Sequence, residues 1–355
     1  MATLFCVRPA TRNIGNDLIN RATADLLRSV FGPDTAIVNL PALRDAQFGG
    51  FTASQVYDMN RLADGVVLGG GNLFENGQLT VDLQALEALH VPLMIVGLSH
   101  GRIFDEHGTP RARTDAMPPA AVQLLAEKAC ELLVRDDGSR RMLHDLGVAS
   151  ADVGGCPTLF LPPNAPDRTD GERVLVSIRH PARMSVPPPL QWRVAEDLRR
   201  LLAALENIYG DAVHLVCHDY RDLEFARAFP GVPMLYFDDA ARYEAALRDC
   251  RLSVTYRLHA FLPCLAFGVP SVHLSYDERG AEMVATAGMT AWDVDLLRES
   301  DVVEAVLSRI ANLPRYHELR AAALGPIAVL HARTLVATER FAARVGVGAR
   351  VRETL

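Results

Sequence analysis

Residues 253–280 read SVTYRLHAFLPCLAFGVPSVHLSYDERG. Ser253, Val254 and Thr255 close a short run of strand type, residues 260–267 form an apolar stretch of about two helical turns, and Gly268, Val269 and Pro270 stop it before a second strand at 271–274. A strand, a buried helix and a strand in so short a span make a βαβ unit, and the strands of such a unit run parallel. The turn between first strand and helix carries Tyr256, Arg257, Leu258 and His259. Arg257 and His259 are therefore expected at a helix N-terminus, where the dipole and the unbonded N–H groups already favour anions.

The same alternation extends outward in both directions. Strands are expected at 174–178, 213–217, 234–237, 252–255 and 271–274, with an amphipathic helix between the first two marked by Leu190, Val194, Leu198, Leu201, Leu202 and Leu205. Before them lies an earlier set at 3–7, 36–40, 65–68, 93–98 and 132–134, whose first helix shows Leu18, Ala22, Leu26 and Val30 on one face. Pro92, Pro233 and Pro270 each stand where a helix should stop and a strand begin. Residues 161–171, dense in Pro, Asp and Gly without an apolar period, read as a linker between the two sets.

The expected fold class is therefore α/β, two Rossmann-like domains facing a central cleft, an arrangement used by many glycosyltransferases. The expected domains are 1–164, 165–315 and a helical segment, 316–355, that crosses back to pack on the first domain. A chain of 355 residues exceeds what one core usually serves, and 49% hydrophobic with 22% charged residues is an ordinary globular composition.

Charge excludes some partners. With 36 Lys and Arg against 43 Asp and Glu, the net charge of -7 offers no global attraction to nucleic acid or anionic lipid. The six cysteines are scattered without a CxxC pair and read as reduced, mostly buried thiols. The opening MATLFCVRPATRN turns polar too soon for a secretory leader, and no apolar run approaches about 18 residues. A cytoplasmic protein with no transmembrane segment is expected, resting against a membrane only through its acceptor or partners; a homo-oligomer stays open.

Ligands of open α/β sheets bind beyond the carboxyl ends of the strands. In the second half those ends carry Arg179, His180 and Arg183, then His218, then Tyr256, Arg257 and His259, then Tyr276, Asp277 and Arg279. Arginine matches carboxylate and phosphate bidentately, and histidine exchanges a proton near neutral pH. Such an edge suits a small ligand with several negative charges.

The first half offers loops at the same cleft. Asn13, Gly15, Asn16 and Asp17 open the first helix, with Asn16 or Asp17 as its expected cap. Gly69, Gly70, Gly71 and Asn72 follow an apolar strand but match neither a P-loop nor GxGxxG, and tight strand–helix packing explains them as well as ligand approach does. Arg135 precedes a helix capped by Asp137 or Ser139 and is placed to reach the cleft, whereas Asp136 and Asp137 alone make a weak metal site. No zinc spacing, HExxH or GxSxG is present, so no metal is expected.

Taken in order, NIGNDLI, VVLGGGNLF, LLVRDDGSRRMLHDLGV and SVTYRLHAFLPCLAFGVPSVHLSYDERG resemble the polysaccharide pyruvyl transferase family. Residues 13 to about 280 carry the resemblance. It implies transfer of pyruvate from phosphoenolpyruvate to sugar hydroxyls as a ketal, with phosphoenolpyruvate as co-substrate, no cofactor, and a glycan or glycan precursor as acceptor. It associates Arg257, Leu258 and His259 with phosphoenolpyruvate, and by motif position adds Arg179, Arg135 and Arg279 to the donor side. The second domain then holds the donor and the first the acceptor, beside Asn13, Gly15, Asn16, Asp17, Gly70, Gly71, Asn72, His100 and Tyr276. The chain departs from the family at Ser99-His100-Gly101-Arg102, where a Gly-Pro turn is common, at Gly155-Cys156-Pro157, and at Arg279, where Lys is common.

On this reading Arg257, helped by Arg179 or Arg135, clamps the donor, and His259 as imidazolium supplies a proton. One sugar hydroxyl attacks, phosphate departs, and a second hydroxyl closes the ketal. Two rival functions use the same scaffold: a nucleotide-sugar glycosyltransferase, and a non-catalytic homologue in a glycan assembly complex.

Overall fold

The computed structural model describes residues 1–9, 12–43, 48–165 and 171–353, with side chains as far as 346. The first sheet is built from β1 (Thr3–Arg8), β2 (Ala36–Pro41), β3 (Gly65–Gly71), β4 (Leu93–Leu98), and, after a small hairpin of β5 (Ile103–Phe104) and β6 (Pro110–Arg111), β7 (Ala129–Val134) and β8 (Asp152–Val153). Its strands lie in the order β2-β1-β3-β4-β7-β8, every pair parallel. Its helices are α1 (Ile14–Phe31), α2 (Ala53–Leu62), α3 (Leu83–Glu87), α4 (Pro119–Lys128) and α5 (Asp137–Asp145).

The second sheet comprises β9 (Val174–Ile178), β10 (Val213–Cys217), β11 (Met234–Tyr236), β12 (Leu252–Thr255), β13 (Ser271–Ser275) and β14 (Asp293–Asp295). Their order, β11-β10-β9-β12-β13-β14, is the 3-2-1-4-5-6 arrangement of a doubly wound fold, again all parallel. α6 (Gln191–Tyr209), α7 (Asp222–Ala226), α8 (Ala240–Asp249), α9 (Leu258–Phe267), α10 (Glu278–Thr286) and α11 (Val302–Ile310) connect them, and α12 (Leu313–Glu353) closes the chain. Strand order reverses beside β1 and β3 in one sheet and beside β9 and β12 in the other. These are the places where open α/β sheets leave a crevice.

Most strands lie where their apolar runs stand. β3 differs, because it runs on through all three glycines of 69–71, and β8, β14 and the hairpin are too short to show a period. Pro92, Pro233 and Pro270 each precede a strand. Of the expected linker, residues 166–170 lie outside the described residues, and 161–165 form no regular element. The six cysteines are free; five are buried, and Cys130 is exposed at the start of β7.

α12 begins on the second domain. Tyr316 donates from its hydroxyl to Val269 O at 2.8 Å, and Arg320 donates to Leu265 O at the end of α9. It then buries Ala337, Phe341 and Val345 among Leu4, Leu27, Val67, Met94 and Leu133 of the first domain. Each large apolar side chain so buried contributes about 1.5–3 kcal/mol. By length and composition the stretch Leu313–Gly346 is also apolar enough to cross a bilayer, yet here one face of it packs along both sheets.

Across the cleft the halves are tied by backbone and charge. Ile14 N donates to His218 O at 2.9 Å, and Asn13 bridges Asp219. On the other side Arg102 and Arg141 reach Glu278 and Glu282, each at 2.6 Å, and Arg279 reaches Glu75 at 2.7 Å.

Candidate active site

A cavity of about 100 Å³ opens where the two crevices meet. That is space for a ligand of several atoms rather than for a single water. From the second domain it is lined by Arg179, His218, Tyr256, Arg257, Leu258, His259, His273, Tyr276, Asp277, Arg279 and Gly280; from the first by Asn13, Asn16, Gly71, Asn72 and Arg135.

The four arginines are not equivalent. Arg279 is saturated, held by Asp277 and by Glu75 from the opposite domain. Although burial opposes its charge, these carboxylates raise its pKa further. Arg257 is 7% exposed; it donates from Nε to Ile178 O at 3.2 Å and from Nη2 to Asp222. Burial and the nearby Arg179 lower its pKa while Asp222 supports its charge. Arg135 rests on Asp136 at 3.3 Å and on Arg279 O at 3.2 Å. Arg179 donates to the Tyr276 hydroxyl at 2.9 Å and, among the described residues, has no carboxylate within ion-pair distance. It is the cation most in need of an anionic partner.

His259 sits in the first turn of α9, with φ -84° and ψ 18°. Its Nε2 is buried and unpartnered among the described residues, as is the Tyr256 hydroxyl. Burial first, then Arg135 and Arg257, push its pKa down to about 3. With no anion bound His259 is therefore neutral, so the imidazolium expected from the sequence is confined to a donor-bound site. His218 is likewise held well below its usual value by burial and by Arg257; its Nε2 lies 3.2 Å from Ser177 Oγ and 3.0 Å from the Tyr243 hydroxyl.

Of the acceptor-side residues that the resemblance named, four do not line the cavity. Gly15 packs behind it, since a Cβ there would come 3.0 Å from the Cβ of His259. Gly70, at φ +75°, lies against α1, and a Cβ would meet Ile19 Cγ2 at 2.3 Å, so here the packing explanation holds. Asp17 pairs with Arg8 at 3.6 Å. His100 is 6% exposed; its backbone N–H donates to Ser139 Oγ, and burial with Arg113 lowers its pKa.

The caps also differ from expectation. Asn13 accepts from Gly15 N and caps α1, and Asp136 accepts from Ser139 N at 2.7 Å and caps α5. In both cases the residue just before the helix has the extended backbone that an N-cap needs, and the later candidates are already helical. His180 caps a 3₁₀ turn at 181–183 and does not line the cavity. His273 and Gly280 do line it, although neither stands immediately after a strand; only the alternation of Ser271, His273 and Ser275 within β13 hints that His273 lies on a polar face.

Among solved structures, the UDP complex of MnaA from S. aureus is similar with a TM-score of 0.55 at 12% identity, covering 90% of this chain and 91% of that one. UDP-N-acetylglucosamine 2-epimerase from Rickettsia bellii gives 0.52 at 12% identity over 100% and 99%. The glycotransferase of kitacinnamycin gives 0.51 at 14% identity over 97% and 98%. Identities this low establish the shared fold alone, a GT-B arrangement of two Rossmann-like domains. No curated protein matches the chain in sequence. The profile described as polysaccharide pyruvyl transferase matches residues 13–278, from the cap of α1 to the start of α10, and so takes in every residue that lines the cavity except Arg279 and Gly280; this chain belongs to the polysaccharide pyruvyl transferase family.

Proposed function

We propose that the protein transfers the pyruvyl group of phosphoenolpyruvate to a hydroxyl pair of a glycan or glycan precursor, forming a ketal and releasing phosphate. The observation that carries this reading is Arg179, without a carboxylate partner among the described residues, beside Arg257 and Arg135 at the N-terminus of α9. Phosphoenolpyruvate brings a carboxylate and a phosphate on a small frame, which matches both the cations and the size of the cavity. Arg179 and Arg257 hold these groups, with Leu258 beside them; Arg135 closes over them from the first domain, and Arg279 aligns the wall through Asp277. Asn13, Asn16, Gly71 and Asn72 line the side left for the acceptor.

Donor binding changes the charge around His259. Burial remains the main force holding the imidazole neutral, but negative groups set against Arg135 and Arg257 offset the repulsion that these arginines add and attract the imidazolium, so its pKa rises on binding. As imidazolium it protonates the methylene carbon of the donor, and positive charge develops at the neighbouring carbon, where a sugar hydroxyl adds. The transfer is redox-neutral and calls for no redox cofactor. Incubation with phosphoenolpyruvate and methyl hexopyranosides, followed by proton spectroscopy, tests the reading. A new ketal methyl singlet with equimolar phosphate supports it; consumption of UDP-sugars with phosphoenolpyruvate untouched would replace it with glycosyl transfer.

A further inference from the structure

His273 lies in the middle of β13, and its side chain is 2% exposed. Its Nδ1 is 2.7 Å from Asp293 Oδ1 on the neighbouring strand β14. An ionised carboxylate only accepts, so Nδ1 carries the proton, and in the neutral imidazole Nε2 keeps its lone pair. Nε2 forms no hydrogen bond among the described residues, and the ring belongs to the cavity wall. Gly280 leaves that edge open, because a Cβ there would lie 2.9 Å from His273 Cε1 and 3.6 Å from Nε2. The Phe261 ring of α9 lies 5.6 Å from the His273 ring, Asp277 and Arg279 share the cavity wall, and Arg309 of α11 donates to the backbone O of Asp293 at 2.9 Å. A histidine whose tautomer is set by a carboxylate, with its other nitrogen open to the cavity, is built to accept a proton.

We propose that His273, positioned by Asp293, takes the proton of the attacking acceptor hydroxyl. This role rests on the pyruvyl-transfer reading and completes its proton balance. His259 gives a proton to the methylene carbon. The first hydroxyl oxygen bonds to the adjacent carbon and its proton passes to His273 Nε2. The bond from that carbon to the phosphate oxygen then breaks, the phosphate leaves with the electron pair, and His273 returns its proton to it. The second hydroxyl adds to the same carbon and gives its proton to His259. Two hydroxyl protons are used, one ending on carbon and one on phosphate, and both histidines are restored.

Two measurements test this on the intact protein. Long-range proton–nitrogen spectra of histidine-labelled protein are expected to show Nε2 of His273 unprotonated and shifted on adding phosphoenolpyruvate. A proton on Nε2, or no shift while the donor binds, overturns the assignment whether or not an acceptor has been found. With methyl hexopyranosides as acceptors, His273→Asn keeps a donor toward Asp293; it is expected to bind phosphoenolpyruvate within about threefold of wild type and to lose roughly 10²–10⁴-fold in phosphate release. Asp293→Asn is expected to lose roughly 10–100-fold and to displace the acidic limb of the pH–rate profile, which a merely structural role would leave in place. Unchanged turnover in His273→Asn overturns the dyad alone, whereas failure of wild type to bind phosphoenolpyruvate overturns the pyruvyl reading.

Discussion

The guanidinium of Arg257 ends on the carboxylate of Asp222, with their side chains only 7% and 1% exposed. Arg257 thus enters the cleft pre-aimed and partly neutralised, with Nη1 left for a ligand among the described residues. Removing one partner strands the other: Asp222→Ala is expected to cost about 3–5 kcal/mol of stability, as for other broken buried pairs. The double variant Asp222→Leu with Arg257→Met is expected to be more stable than Asp222→Ala alone. Thermal unfolding of the single and double variants checks the coupling.

Arg179 and Arg279 should separate in function. Arg179→Ala is expected to weaken phosphoenolpyruvate binding roughly 10- to 100-fold, from about 1.5–3 kcal/mol for a hydrogen bond to a charged group. Arg179→Lys restores charge without the planar fork and is expected to recover only part of that affinity. Arg279→Ala, whose guanidinium is already spent on Glu75 and Asp277, is expected to change affinity far less and to lower the unfolding temperature instead. Calorimetric titration alongside thermal scans distinguishes the two patterns.

The charge state of His259 gives a signed pH dependence. Its pKa is about 3 in the empty site and rises when an anion binds, so protons are taken up on binding wherever the pH lies between the two values. Affinity for phosphoenolpyruvate is expected to increase as pH falls through the bound-state value. The donor's own phosphate titrates near pH 6 as well, so the informative quantity is the difference between wild type and His259→Gln. Titration in buffers of different ionisation enthalpy counts the protons and should show fewer in the variant.

Gly15 and Gly70 make contrasting predictions. Gly15→Ala pushes a methyl group onto the back of His259 and is expected to reduce turnover more than stability. Gly70→Ala combines φ +75° with a clash against Ile19, and is expected to destabilise the fold while leaving any residual protein active. Turnover per folded molecule, with the folded fraction taken from circular dichroism, separates them.

Much of this was legible in the chain because β9, β10, β12 and β13 are short apolar runs with polar residues at their carboxyl ends. Arg179, Arg257, His259 and Tyr276 could be placed at one edge before any pairing was known, and the tail could be read as a helical segment. What escaped were matters of distance and order within the fold. The bond between Glu75 and Arg279 spans both domains, and no local pattern records it. Burial raises the Glu75 pKa to about 7 against the pull of that arginine. His259 reads as a cation by residue type, and burial first, then Arg135 from the other half and Arg257, make it neutral in the empty site. His273 hid within a strand, and its partner Asp293 stands on a strand of three residues.

The most direct test of the central claim is calorimetric titration of wild type and Arg179→Ala with phosphoenolpyruvate, UDP and GDP in parallel. The expected result is binding of phosphoenolpyruvate by wild type, strongly weakened in the variant, and no comparable binding of either nucleotide. Tight binding of UDP or GDP, unaffected by phosphoenolpyruvate, would contradict it.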